Sequence, residues 1–414
     1  MNEFKEKAQL WASSFSMASI MDSQGYADPY ARFDWCICAG EKERFVSKNK
    51  GSFLQIQAFI DRHPQSFIPG FLSYELKDEV EDLESQLPDY TDFPLACFFI
   101  PRYRIIANGD TIWIDAAQAE QVLQEILSQD RTLPPFSFSG SIQQRMSEQE
   151  YKQTFSSVYQ HLLRGDIYEM NLCQEFYAEQ VDLHPLSTYQ KLTSSSPTPF
   201  SSFFKLDDLY VISASPERFL QKKANVVLSQ PIKGTAARFS DPEKDKASRM
   251  HLLNSEKERS ENVMIVDLVR HDLTRSALPG TVQVKSLMEV QSFKQVHQLV
   301  SSITCQVSQD LPLSKLLQQT FPPGSMTGAP KKRAMELIEH FEKSRRGVYS
   351  GTLGYFYKGD FDFNVVIRSI LYNAKNRYLS FQVGGAITVQ SDADQEYQEC
   401  LLKASAIINL LKGT

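Results

Sequence analysis

The sequence predicts an α+β protein built on large antiparallel sheets, and three observations carry that prediction. The last third holds three strand candidates, Val348 to Tyr357, Phe361 to Tyr372 and Tyr378 to Val389. Lys358-Gly359-Asp360 and Asn376-Arg377 separate them, and turns this short join antiparallel neighbours. Helical segments alternate with long β-rich stretches, without the regular βαβ spacing or the GxGxxG run of a nucleotide-binding fold.

In chain order, Cys36 and Cys38 read as buried thiols on one face of a strand. Phe53 to Ile60 and Leu95 to Ile106 also read as strands. Leu133-Pro134-Pro135-Phe136-Ser137-Phe138-Ser139-Gly140 reads as a connection. It divides an N-terminal segment, 1–140, from a larger segment, 141–414; both are expected to contribute to one fold. Ser147-Glu148-Gln149-Glu150 is a capping box opening a helix to about Arg164. Ser255 to Leu273 carries the wide apolar stripe of a packed helix. Pro330 to Phe341 is a further helix, with Pro at its first position and Gly347 beyond its end. The last helix runs from about Asp394 to Leu411.

Composition narrows the function classes. Of 414 residues, 42% are hydrophobic and 23% charged, which excludes a disordered, collagen-like or coiled-coil chain. A net charge of −6 gives no global electrostatic reason to bind nucleic acid or an anionic membrane. The longest apolar runs are too short to span a bilayer, and residues 1–11 lack a signal-peptide pattern. The six cysteines form no CxxC pair. The expectation is a cytoplasmic protein with reduced thiols. Neither HExxH nor GxSxG occurs, which removes common zinc and hydrolase readings.

Several groups could carry chemistry. Glu258 and Glu261 lie three apart on one helix, and Glu396 and Glu399 repeat that spacing on the last. Such pairs share a helix face, and carboxylates suit Mg²⁺, although each pair alone reads first as surface Glu. Ser255-x-x-Glu258 also reads as a capping box, and Glu399 with Lys403 as an i,i+4 ion pair. Pro231-Ile232-Lys233-Gly234-Thr235 places a lysine after the strand-like Val226 to Leu228. It is a nucleophile if its pKa is lowered, and otherwise a solvated strand-end residue. Gly324-Ser325-Met326-Thr327-Gly328-Ala329-Pro330-Lys331 fails the P-loop pattern, yet puts hydroxyls and free N–H groups at a helix entry. Alternation puts Arg368 on a strand face with Asn364, Val366 and Ile370, where it could clamp a carboxylate. Gly384-Gly385-Ala386 on the next strand would allow close backbone approach by a ligand; a bulge is the simpler reading.

In this order the motifs resemble the chorismate-utilising enzymes, and among them component I of aminodeoxychorismate synthase most closely. The resemblance runs from about Met146 to the C-terminus and is weaker in Gly70-Phe71-Leu72-Ser73-Tyr74-Glu75-Leu76-Lys77. It implies two large antiparallel sheets packed as a sandwich and flanked by helices, with the active site between them. Lys257-Glu258-Arg259-Ser260-Glu261-Asn262, followed by Val266-Asp267-Leu268, matches the family's metal motif. Glu261 and Glu399 fall where direct Mg²⁺ ligands sit, and Glu258 and Glu396 on positions that mostly reach the ion through water. Ser215-Pro216-Glu217-Arg218-Phe219 matches the segment holding the general acid, so Glu217 would protonate the departing C4 hydroxyl. Arg368, Tyr349 and Lys403 fall on chorismate carboxylate contacts. Gly384, Gly385 and Ala386 fall on the facing backbone loop, and Ser325 and Gly328 beside the ring. Thr235 closes the lysine motif, and Gln298 falls on a substrate-facing His position, with His297 one residue early.

The resemblance turns on Lys233. Aminodeoxychorismate synthases carry Lys there and anthranilate synthases carry Ala, which makes anthranilate synthase component I the alternative reading. The family mechanism implies that Lys233 attacks C2 of chorismate, after which ammonia adds at C4 to give 4-amino-4-deoxychorismate on the route to folate. The amine must be neutral to attack, so its pKa is expected well below ~10.4. Desolvation and nearby cations would lower it, and a nearby glutamate would oppose this. Water-adding relatives use a lysine base at the position of Glu169, and most ammonia-using ones carry Gln, so Glu169 has no assigned role. Ala386 replaces a usual Gly, Ser325 a Thr and His271 an Asn. No glutaminase triad motif is present, so ammonia is expected from a separate glutamine amidotransferase subunit or from solution. Tryptophan binding to the N-terminal sheet, seen in some relatives, is left open by the sequence.

Overall fold

The computed structural model describes residues 2–129, 132–294 and 296–413. Its centre is a pair of long strands, Trp35–Ser47 and Ala96–Asn108, paired from Trp35↔Ala107 to Ser47↔Ala96. They are long enough to serve two sheets. One continues from Trp35–Ser47 through Met17–Asp22, Phe200–Leu206, Leu209–Ser215, Ser369–Asn373, Tyr378–Ile387 and Glu169–Ala178. The other leaves the start of Ala96–Asn108 through Phe67–Leu72, Thr352–Tyr357, Asp360–Val365, Arg218–Lys223, Val226–Gln230 and Val296–Gln306. Ile232–Ala237 and Gln283–Ser292 complete that sheet on Val296–Gln306. Every one of these pairings is antiparallel. Both sheets combine strands from before and after residue 140.

The period-2 pattern decides which way each strand faces. In the first sheet Met17, Met21, Cys36, Cys38, Val211 and Leu371 turn towards the second sheet. Ile20, Trp35, Ile37, Ile212 and Ile370 turn outward, onto helices that include Asn2–Ser13, Glu148–Leu163, Lys331–Phe341 and Ala393–Lys412. Phe71 and Phe204 meet edge to face across the inter-sheet core, with centroids 5.2 Å apart. Helices Ser52–Arg62, Glu256–Thr274 and Leu313–Thr320 pack with the second sheet. The Cys36 and Cys38 thiols are buried on one face, 3.9 Å apart. Among the described residues, no helix is long and apolar enough to cross a membrane.

Two element expectations are corrected. Residues 53–60 form a helix, Ser52–Arg62, not a strand. Phe53, Ile56, Phe59 and Ile60 recur at helical spacing and are buried, whereas Leu54 is exposed. The expected strand Phe361 to Tyr372 is two strands, Asp360–Val365 in the second sheet and Ser369–Asn373 in the first. Arg368 lies in the break with a φ of 51°, so it shares no strand face with Asn364 or Ile370. The capping box at Ser147 forms as expected, with both reciprocal hydrogen bonds.

Candidate active site

The site lies where the chain crosses from one sheet to the other. Leu209–Ser215 belongs to the first sheet and Arg218–Lys223 to the second, and Glu217 sits in the crossing. Arg368 occupies a second crossing beside it. Val365 N donates to Glu217 O at 3.0 Å, and Ala214 N donates to Arg368 O at 3.2 Å, so the crossings brace each other. The Glu217 carboxyl is buried and accepts a 2.6 Å hydrogen bond from Ser325 Oγ. Burial pushes it up to about 7, against the opposing pull of the Ser325 hydroxyl and Lys233. Such a group holds a proton near neutral pH. Among the described residues, the Arg368 guanidinium makes no ion pair, which leaves it free to receive an anionic group.

Lys233 reaches the same region from Ile232–Ala237, whose pairing with Val296–Gln306 slips between Ile232 and Thr235. Gly234 makes the slip possible. Its φ is +88°, and a Cβ there would lie 2.9 Å from Glu258 Oε2. Lys233 is buried, and its Nζ donates to Glu169 Oε1 at 2.8 Å. Burial pulls the ammonium down, but Glu169, Glu261 and Glu217 outweigh it and hold Lys233 above the usual lysine range. This corrects the expectation of a lowered pKa: without substrate, carboxylates dominate the lysine's surroundings.

Lys257, Glu258 and Glu261 come from Glu256–Thr274, which Ser255 caps by accepting from Glu258 N. Glu396, Glu399 and Lys403 come from Ala393–Lys412. Lys257 Nζ bridges the helices, 2.9 Å from Glu396 Oε1 and 3.9 Å from Glu261 Oε1. Lys403 Nζ pairs with Glu399 Oε1 at 2.7 Å and donates to Gly384 O at 2.8 Å. Burial pushes Glu261 up to about 7 and also raises Glu258, with Glu399 adding to the latter. Glu399 is depressed instead, because Lys403 outweighs its burial.

The donor set fits a hard cation. Glu261 Oε1 is buried without a hydrogen-bond partner, and Glu396 is 1% exposed with Lys257 beside it. A Cβ on Gly385 would fill space 2.9 Å from Glu396 Oε2 and 4.0 Å from Glu399 Oε1. The carboxylates do not yet close around one point: among the described residues, no three acidic, His or Cys side chains are gathered as a metal cluster. Lys257 stands between them.

The remaining sequence candidates divide. Tyr349 is buried, with its hydroxyl 3.7 Å from Cys173 Sγ, and Cys173 lies against Gly384. A Cβ on Gly328 would come within 2.1 Å of Glu169 O, so the helix-entry loop lies directly on that strand. Ala386 is buried on the strand paired with Glu169–Ala178. Gln298 Nε2 donates to Thr235 Oγ1 at 3.3 Å, while its Oε1 is buried without a partner. His297 faces elsewhere, onto Ser292 and Asp245.

Sequence reasoning missed the frame beneath the site. Arg346 is buried, bonded to Glu342, and donates to the carbonyls of Met326 and Asn171. Asn171 Nδ2 in turn donates to Ser325 O. The available signal was the i,i+4 spacing of Glu342 and Arg346.

The chain has counterparts among known proteins. Aminodeoxychorismate synthase component 1 of Escherichia coli (strain K12) is 38% identical over 429 residues, covering 94% of this chain and 92% of that protein. Its Salmonella typhimurium counterpart is 39% identical over 283 residues, 68% of this chain but 62% of the relative's length. The crystal structure of anthranilate synthase component I from Streptococcus pneumoniae TIGR4 superposes with a TM-score of 0.78 at 26% identity, covering 92% of this chain and 93% of that one. Residues 17–409 match the sequence family described as chorismate binding enzyme, and this chain belongs to that family.

Proposed function

We propose that the protein converts chorismate and ammonia to 4-amino-4-deoxychorismate, with Lys233 as nucleophile and Glu217 as general acid. The observation that carries this reading is a buried lysine beside a buried, proton-holding carboxyl at the sheet crossings. The names of the E. coli and Salmonella relatives point the same way. Arg368, unpaired in the crossing, would take a substrate carboxylate, with Tyr349 and the Gly384-Gly385-Ala386 backbone closing that side. Glu217 would give its proton to the C4 hydroxyl as the Lys233 amine forms a bond to C2, so that water leaves. Ammonia would then add at C4, the C2–N bond would break, and the lysine would be restored. Glu261 and Glu399 would hold Mg²⁺ directly and Glu258 and Glu396 through water; the ion would supply Lewis acidity towards the anionic substrate. Ammonia would be delivered by a separate glutamine amidotransferase subunit.

Mass identification of the product from chorismate, Mg²⁺ and ammonium tests the reading. A non-aromatic amine retaining the pyruvyl group is expected. Anthranilate, released with pyruvate, would support the second reading, which the fold shared with anthranilate synthase component I keeps in play. Without ammonia, wild type should trap a chorismate adduct on the Lys233 peptide. Lys233→Ala should bind chorismate, lose most turnover and form no adduct; undiminished product from it would remove the nucleophile role.

A further inference from the structure

Glu169 takes no part in the reaction just described, yet it is the group that Lys233 contacts. Its backbone is fixed by neighbours of the site: Ala329 lies opposite it in the ladder, and only a glycine at 328 lets that loop approach so closely. Glu169 is 3% exposed, which leaves water little access to the pair. Lys233 itself is faced by acid from several sides: Glu169 from its strand, Glu217 from the crossing, Glu258 and Glu261 from one helix and Glu399 from another. Of these, only Glu169 accepts a hydrogen bond from Nζ.

An ammonium has no lone pair, so a lysine held in this pair cannot attack C2. Opening a buried ion pair leaves each charge uncompensated where water has little access, so the pair opposes release of the amine. We propose that Glu169 is a positioning residue that latches Lys233 as an ammonium ion in the substrate-free enzyme, so that covalent attack begins only once this ion pair opens. The latch keeps a buried nucleophile inert towards other electrophiles until chorismate occupies the site. It rests on the reading of Lys233 as nucleophile, and its charge is the operative feature: a glutamine would accept the same hydrogen bond without holding the proton.

The test uses the full chain, wild type and Glu169→Gln, in two measurements across pH 6–10. The first is trace acetylation with acetic anhydride in the absence of substrate, read by mass spectrometry on the Lys233 peptide and normalised to exposed lysines. The second is the rate of adduct formation with chorismate in the absence of ammonia. In Glu169→Gln, Lys233 is expected to be acetylated at least tenfold faster at pH 8, with the rise of that profile at least one pH unit lower, and the adduct is expected to form at least tenfold faster at pH 7, where Glu217 still supplies its proton. Glu169→Met should act in the same direction, and Glu169→Asp, which keeps the charge, should stay nearer wild type. An acetylation profile that stays in place or moves to higher pH in Glu169→Gln overturns the latch. If acetylation shifts while neither protein forms an adduct at Lys233, the pairing stands and the nucleophile reading fails. If wild type forms the adduct and Glu169→Gln forms it no faster at pH 7, the nucleophile stands and the latch fails.

Discussion

The Ser325 hydroxyl donates a 2.6 Å hydrogen bond to Glu217 Oε1, tying the helix-entry loop to the proposed general acid. Ser325 therefore reads as a residue that tunes the acid rather than one that only borders the ring. The bond favours the ionised carboxylate and partly offsets the effect of burial. Glu217 must be protonated to act, so kcat/KM, which reports the substrate-free enzyme, is expected to fall as pH rises through about 7. Ser325→Ala removes a donor to the ionised form, and its falling limb should lie at higher pH. Ser325→Thr keeps the hydroxyl and should leave the limb in place. Glu217→Gln, neutral and isosteric, should fold normally and lose roughly 10²–10⁴-fold in kcat. A limb that moves to lower pH in Ser325→Ala would contradict the assignment.

The glutamates should separate into two classes. Glu261→Ala and Glu399→Ala are expected to abolish Mg²⁺-dependent turnover with the fold intact, and Glu258→Ala or Glu396→Ala to weaken it less. Lys257 now bridges Glu396 and Glu261, and a cation there competes with the ion. Lys257→Met should tighten Mg²⁺ binding about tenfold or more in calorimetry, a readout independent of turnover. Four glutamate variants with wild-type activity would remove the site.

Arg368 should act on binding more than on chemistry. A charge-assisted hydrogen bond contributes about 1.5–3 kcal/mol, so Arg368→Ala should raise KM for chorismate roughly ten- to a hundredfold. Arg368→Lys should recover only part of this, because an ammonium cannot pair bidentately. Steady-state kinetics separating KM from kcat checks it.

Nitrogen supply gives a fourth expectation. Within residues 1–414 no glutaminase triad motif occurs, so the purified chain should use ammonium salts and not glutamine. Glutamine-dependent turnover by the purified chain alone would contradict this.

The sequence by itself determined the antiparallel α+β class, the capped helices at Ser147 and Ser255 and the family, because caps, short turns and contiguous motifs are local patterns. It also named Lys233, Glu217, Glu258 and Glu261, which stand in contiguous motifs, and Glu396 and Glu399, which repeat a three-residue spacing on the last helix. It failed where local pattern was ambiguous: Phe53 to Ile60 is too short a run for apolar content alone to tell strand from helix. Only the tertiary structure decided that Glu217 and Arg368 occupy adjacent crossings, because nothing local in the sequence records which sheet a strand joins. It alone paired Lys233 with Glu169, 64 residues away in sequence, and lodged Lys257 between glutamates of two helices. The protonation of a buried lysine follows from the charges that surround it in space, and sequence order does not record which carboxylates those are.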